Sequence, residues 1–237
     1  MMLKNYFVFD GVSSLDYNVG LSGTGVYNAP RRDYESIEVP GRNGNLTLDN
    51  GRWNNYKMQY TAVIGRRFPA NVGGLRAFLL SRKGYCRLED TYHPDEFRMA
   101  IYSGPFEIEE LGFLNRWGQF PLEFDCKPQR FLKSGEQKII IPAGETVRLY
   151  NPTHFDAKPM IRLNATGSVT VGNTTLTANN LTNFIDFDCD LQDAREGLTN
   201  RNGDVTVPSW PVLSPGETGI LNSTQADVEV IPRWWRL

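Results

Sequence analysis

The sequence predicts a mainly β protein in two domains with a single helix, and three observations predict it. Among 237 residues, 22 are glycine and 14 are proline, spread so evenly that long helices have little room. Short runs rich in β-branched and aromatic residues recur between Gly, Asn, Asp or Pro, from Tyr6–Phe9 through Asp227–Ile231; many short strands bounded by turns make barrels or sandwiches. One segment, at about 70–83, carries a helical period instead.

In chain order, Tyr6–Phe9 and Ser36–Val39 are the first strand candidates. Asp33–Val63 reads as a protruding β-hairpin, because Ile37, Val39, Leu46, Leu48 and Met58 are spaced by two and give each strand one apolar face. It turns at Gly41-Arg42-Asn43-Gly44 or in the Asp49-Asn50-Gly51 loop. A two-stranded hairpin is marginal in water, so that face needs a third surface. Periodicity alone leaves two choices for it, the chain's own barrel or a neighbouring subunit.

The helix puts Val72, Leu75, Phe78 and Leu79 on one face, with Arg82 and Lys83 in its last turn and Gly84 where a φ > 0 residue would end it. Its glycines, Gly73 and Gly74, cost about 1 kcal/mol each relative to alanine, so packing must hold it. Met58–Ile64, Phe97–Tyr102 and Phe120–Phe124 complete the first domain. A break near 127–136, with Pro128 and the polar Lys133-Ser134-Gly135-Glu136, divides domains 1–132 and 133–237. Beyond it come Lys138–Ile141, Met160–Asn164 and Ser168–Val171, the last turning at Gly172-Asn173-Thr174-Thr175. A 20–50-residue repeat is absent, which sets solenoids and propellers aside.

Composition excludes several classes. Aromatic content of 12% and near-balanced charge, 25 basic against 27 acidic residues, are not those of a disordered chain. Nor do they fit a dedicated nucleic-acid binder: residues 1–132 carry 16 Lys+Arg and 15 Asp+Glu, residues 133–237 carry 9 and 12. The pairs Arg31-Arg32 and Arg66-Arg67 read as solvated faces rather than phosphate clamps. No run approaches the roughly 20 apolar residues of a membrane span. The opening Asn5-Tyr6-Phe7-Val8-Phe9-Asp10 is too short for a secretory h-region. Three cysteines without metal spacing predict free thiols and a reducing compartment.

Candidate chemistry is thin. Asp186, Asp188 and Asp190 would share one strand face, as in a metal cage or a glycosidase, and raise a peptidoglycan-hydrolase reading. The spacing fails in detail, since an EF-hand beginning at Asp186 would need Gly and Glu where Leu191 and Gly197 stand. Solvated strand-end carboxylates or turn formers are the plainer expectation. His93 sits in a loop, Cys86 has no evident activating partner, and no nucleophile elbow occurs. Gly41-Arg42-Asn43-Gly44-Asn45 is not a P-loop, for want of Gly-Lys-Ser/Thr and an opening helix. Trp210, Trp234 and Trp235 could stack on sugar rings, which motivates a carbohydrate-binding module for host receptor recognition as the alternative function. The expectation is a non-enzyme with no cofactor and no metal.

Several segments resemble one family. Phe7-Val8-Phe9-Asp10-Gly11-Val12-Ser13-Ser14-Leu15-Asp16-Tyr17 is similar to the F-x-F-[ND]-G-x-S-S-x-D-[FY] opening of distal tail proteins from phages with long non-contractile tails. Val39-Pro40-Gly41-Arg42-Asn43-Gly44 resembles that family's V-x-G-R-N-G turn, and Leu88-Glu89-Asp90 through Phe97–Ala100 its L-x-D…P…Y-x-A stretch, with Phe97 where Tyr is common. Ile185-Asp186 through Asp190 to Asn202, Trp210-Pro211-Val212-Leu213-Ser214-Pro215-Gly216 and the closing Pro232-Arg233-Trp234-Trp235-Arg236-Leu237 are similar to its second half. Ala194, Trp210 and the extra Trp235 are departures.

The resemblance implies an N-terminal β-barrel with one helix and an extended hairpin that wraps the neighbour, and a C-terminal galectin-like β-sandwich. It implies a virion protein assembled in the host cytoplasm, forming a homo-hexameric ring at the tail tip. Its partners would be the tail tube protein, the tail-associated hub protein and receptor-binding proteins, without membrane or specific nucleic acid. On this reading the inter-subunit interface is Ile37, Val39, Gly41, Arg42, Gly44, Leu46 and Leu48.

Overall fold

The computed structural model describes residues 5–65, 68–107 and 117–237, and the chain forms two compact units, 1–130 with 237, and 131–236. Arg66 and Arg67 lie outside the described residues. Strands of the first unit are β1 (Phe7–Phe9), β2 (Val12–Ser13), β3 (Val19–Ser22), β4 (Arg32–Ile37), β5 (Leu46–Trp53), β6 (Tyr56–Gly65), β7 (Cys86–Asp90), β8 (Glu96–Tyr102) and β9 (Trp117–Leu132). The last two residues of β9 already belong to the second unit.

One sheet, in the order β2-β1-β7-β8-β9-β6-β3, is the frame of the first unit. It curls like a barrel: the Asn5 carbonyl, just before β1, accepts the Leu21 N–H of β3 at 2.7 Å. The period of two explains the core. On β6, Tyr56, Met58, Tyr60, Ala62 and Ile64 point inward, and the register sets Met58 opposite Phe124 and Tyr60 opposite Leu122 on β9. Phe7 stacks on Tyr60 at 6.2 Å, and Phe9 meets Phe124 at 5.2 Å. Met58 is therefore barrel core, not hairpin, which corrects the expectation that it extends the exposed apolar face.

Helix α1 (Phe68–Ser81) buries Leu75, Phe78 and Leu79 against this core, with Phe78 edge-on to Phe9. It ends two residues earlier than expected, so Arg82 and Lys83 lie past its last turn. The Arg82 guanidinium instead covers the Phe78 ring at 4.7 Å and pairs with Asp10 at 3.1 Å. Gly74 has a steric reason, because a Cβ there would sit 3.1 Å from the Tyr17 ring. Among the described residues no helix is long and apolar enough to cross a membrane.

The second unit contains β10 (Ile139–Ile141), β11 (Thr146–Asn151), β12 (Met160–Leu163), β13 (Gly167–Val171), β14 (Thr174–Ala178), β15 (Ile185–Asp188), β16 (Asp193–Glu196), β17 (Thr199–Asn200), β18 (Val205–Thr206), β19 (Gly216–Asn222), β20 (Val228–Ile231) and β21 (Trp235–Arg236). All but β21 form a six-stranded sheet, β10-β20-β12-β15-β16-β17, and a five-stranded sheet, β11-β19-β13-β14-β18. A single core joins them: the row Val230, Ile161, Phe187, Ala194 from the first sheet packs with Val169, Leu176 and Ile220 from the second. The unit is a β-sandwich. Its β13–β14 hairpin turns at Gly172-Asn173, where the sequence placed it.

Two loops of the sandwich close in the same way. After β11, Asn151 accepts hydrogen bonds from the Thr153 N–H and hydroxyl while donating to the Phe155 and Leu213 carbonyls. After β19, Asn222 does the same with Thr224, Ala226 and Ile141. The shared Asn-x-Thr spacing lets one buried amide satisfy backbone groups that would otherwise be orphaned.

Candidate functional site

Strands β4 and β5 form a sheet of their own, separate from the barrel. Pro40 and Gly41 build the tip: the Arg42 N–H reaches the Val39 carbonyl at 3.1 Å and Gly41 has φ +79°, a type II turn with Pro and Gly in their favoured places. The alternative turn at Asp49-Asn50-Gly51 is not a tip. Those residues lie inside β5, where the register slips between Arg32 opposite Trp53 and Tyr34 opposite Asp49, and Gly51 takes φ +73°.

Register sorts the ribbon into two faces. Ile37 lies opposite Leu46 and Glu35 opposite Leu48, so these four share one side; Tyr34, Ser36, Thr47 and Asp49 share the other. The apolar side is open, with Ile37, Leu46 and Leu48 exposed at 45%, 51% and 54%. Val39 is also exposed, and Gly41, Arg42 and Gly44 cluster at the tip. The structure thus brings all seven expected interface residues onto this separate two-stranded element, where each is exposed. The ribbon is fastened by its own ladder and by ion pairs, Arg32–Asp49 at 2.8 Å and Arg52–Asp33 at 2.6 Å, with Arg32 also lying over Trp53.

The residues weighed for chemistry are otherwise employed. Asp186 and Asp188 are buried rather than solvated, which corrects the expectation for them, because each has an arginine: Arg162 meets Asp186 at 2.6 Å, and Arg233 grips Asp188 at 2.7 and 2.9 Å. Burial raises the Asp188 pKa, but the Arg233 hydrogen bonds and the Leu191 and Asp190 N–H groups outweigh it and hold the carboxyl below its ordinary range. Asp190 lies past the end of β15, exposed and paired with Lys158 at 3.0 Å. Among the described residues no group of three His, Cys, Asp or Glu is placed to hold a metal ion. Burial pushes the Cys126 and Cys189 thiols up to about 12, which keeps them as protonated, weak nucleophiles.

The tryptophans are not free stacking platforms. Trp234 is buried, Trp210 packs near Phe187, and Trp235 lies on Phe155 at 4.5 Å while its indole N–H donates to the Asp156 carbonyl. Gly135 is required beneath Trp234, since any Cβ would collide with its backbone nitrogen.

Sequence reasoning missed a polar cluster inside the barrel. Arg98, 1% exposed on β8, donates to Asp90 at 3.1 Å, Glu96 at 2.9 Å and the Tyr56 hydroxyl at 2.9 Å. Asp90 also accepts the Tyr60 hydroxyl at 2.7 Å, the His93 N–H at 2.8 Å and lies 2.9 Å from His93 Nδ1. His93 is in the loop expected for it, yet buried. The signal was an arginine in the apolar run Phe97-Arg98-Met99-Ala100. Most of these groups find partners in place, although His93 Nε2 is buried without one, and they read as a structural network.

No protein-family model matches the chain, and no curated protein matches its sequence. Among solved structures it is similar to the Dit protein of phage SPP1, described as a paradigm of the hub adsorption apparatus in phages infecting Gram-positive bacteria. That likeness has a TM-score of 0.72 at 13% identity and covers 98% of this chain and 99% of that one. At this identity the two share a fold.

Proposed function

We propose that the chain is a structural component of a phage tail tip, a non-enzymatic protein that forms a homo-hexameric ring and joins the tail tube to the tail-associated hub. The observation that carries the reading is the projecting hairpin with its uncovered apolar face, on a fold shared over its whole length with a hub adsorption protein. Three half-exposed aliphatic side chains on a two-stranded ribbon are poorly accounted for in an isolated subunit, since such a ribbon needs a further surface to be stable. Identical head-to-tail contacts generate a ring when the rotation closes. The hairpin would be the clasp between neighbours, the second unit would be a galectin-like β-sandwich, and the protein would reside in the virion after assembly in the host cytoplasm.

Light scattering coupled to size exclusion tests this. A fixed oligomer of six, or two stacked rings, is expected; a monomer at every concentration counts against it. The double variant Ile37→Asp with Leu48→Asp should dissolve the ring into folded monomers, each aliphatic group contributing roughly 1.5–3 kcal/mol per interface. Unfolding of that variant, or a persistent ring, would make the hairpin something other than the clasp.

A further inference from the structure

The surface that receives the hairpin can be sought on the same chain, since in a ring of identical contacts the acceptor is a second copy of this protein. Helix α1 has a second face besides the buried one. Gly73, Arg76, Ala77 and Leu80 recur at i, i+3, i+4 and i+7, all exposed, with Leu80 at 62%. An outward leucine among small residues leaves a smooth apolar strip with one cation in its middle.

Three features of that strip answer to the hairpin. First, charge: among the described residues neither Arg76 on the helix nor Glu35 on the hairpin has an ion-pair partner, and each is set among the apolar groups of its own face, Glu35 directly opposite Leu48. Second, Gly73 has no reason inside the subunit. A Cβ there would meet nothing within 4 Å, unlike its neighbour Gly74 beside Tyr17, although glycine is disfavoured within a helix. A residue without a side chain is what a closely approaching outside backbone requires. Third, size: fourteen helical residues span about 21 Å, and the eight residues of β5 about 27 Å. No hydrogen bond or ion pair ties the hairpin to α1 of its own chain among the described residues.

We propose that the hairpin of one subunit packs its Ile37, Leu46 and Leu48 face across the outward face of α1 on the next, with Glu35 against Arg76. This rests on the ring reading above and names its acceptor. Opposite charges within an apolar contact fix register more than they add affinity, so the pair would set where along the helix the ribbon lies.

The test uses the full chain, with oligomer mass by light scattering and folding by circular dichroism. Gly73→Leu places a side chain in open space within the subunit, so folding is expected to hold while the ring falls to monomers. Arg76→Glu, which faces Glu35 with a like charge, should weaken association at least tenfold, as should Glu35→Arg. The double variant Glu35→Arg with Arg76→Glu should recover at least tenfold over either single variant, a rescue that mere structural damage does not give. Should Gly73→Leu fail to fold, the charge swap decides alone. Wild-type association in Gly73→Leu, or no recovery in the swap, overturns the proposal. If these fail while Ile37→Asp with Leu48→Asp still dissolves the ring, the clasp stands and its acceptor lies elsewhere. A wild-type chain that is monomeric throughout removes the ring reading itself.

Discussion

Strands β5 and β6 follow one another with only Asn54 and Asn55 between them, and both alternate apolar and polar residues. Their fates are opposite. Met58, Tyr60, Ala62 and Ile64 of β6 are buried in the barrel, whereas Leu46 and Leu48 of β5 stand half in water. Periodicity says that a face exists, not what covers it. In β6 the cover is supplied by β1, β9 and α1 of the same subunit; the β5 face has no such cover among the described residues. The difference teaches that the same alternation can build a barrel core or leave an apolar face open, depending on the sheet the strand joins.

Variants in the body should reveal that difference most strongly. Arg98→Met is expected to cost about 3–5 kcal/mol in chemical denaturation, because it removes the buried cation that Asp90 and Glu96 share. A cost below 1 kcal/mol would mean that water reaches the cluster and that the body is less closed than its burial indicates. Met58→Ala should cost about 2–5 kcal/mol, as removal of a fully buried side chain does. Leu48→Ala is the matched control on β5, expected within about 0.5 kcal/mol for the dissociated subunit. Equal losses at the two positions would erase the contrast and place the hairpin in the subunit's own core.

The same contrast shows what could be read from the residues. Alternation located the hairpin and its exposed Ile37, Val39, Leu46 and Leu48, and the helical period located α1 and its buried Leu75, Phe78 and Leu79. Met58 was misassigned because it falls at an even spacing from Leu46 and Leu48, although the polypeptide changes sheets at Asn54-Asn55. Asp186 and Asp188 were read as solvated because their arginines come from segments remote in sequence: Arg162 is 24 residues from Asp186, and Arg233 is 45 from Asp188. Long-range pairing of that kind leaves no local trace. The barrel cluster was hidden likewise apart from Arg98 in its apolar run, since Tyr56, Tyr60 and Asp90 look ordinary one at a time and join it only through the sheet order.

A subtler test addresses the bulge that shapes β5. Gly51 has φ +73° and a Cβ there would touch nothing, so Gly51→Ala adds backbone strain alone, on the order of 1 kcal/mol. The expected result is faster amide exchange across β4 and β5 with the thermal midpoint of the body unchanged. A drop in that midpoint would show the ribbon and barrel to be one cooperative unit.

The smallest expected effect separates the two regions by how each is fastened. The Arg32 hydrogen bonds, with help from the Gly51 N–H, hold the Asp49 carboxyl below its ordinary range, and Arg52 does the same for Asp33. A carboxyl whose pKa is depressed in the folded state lends its support fully above the unfolded value of about 3.9 and loses it as pH falls through the lower folded value. Acidification into that window should therefore loosen the hairpin, and only slightly, because both pairs are exposed and screened by solvent. Salt near 1 M at neutral pH should act in the same direction, the Debye length having shrunk to about 3 Å. The Arg98–Asp90 pair, buried on both sides, should ignore salt. Amide exchange read at Leu48 and at Met58 under each condition makes the comparison directly. Loss of protection at Leu48 alone is the expected result. Unchanged exchange at Leu48 in acid and salt would assign the ribbon's stability to its backbone ladder and leave its ion pairs with no measurable part.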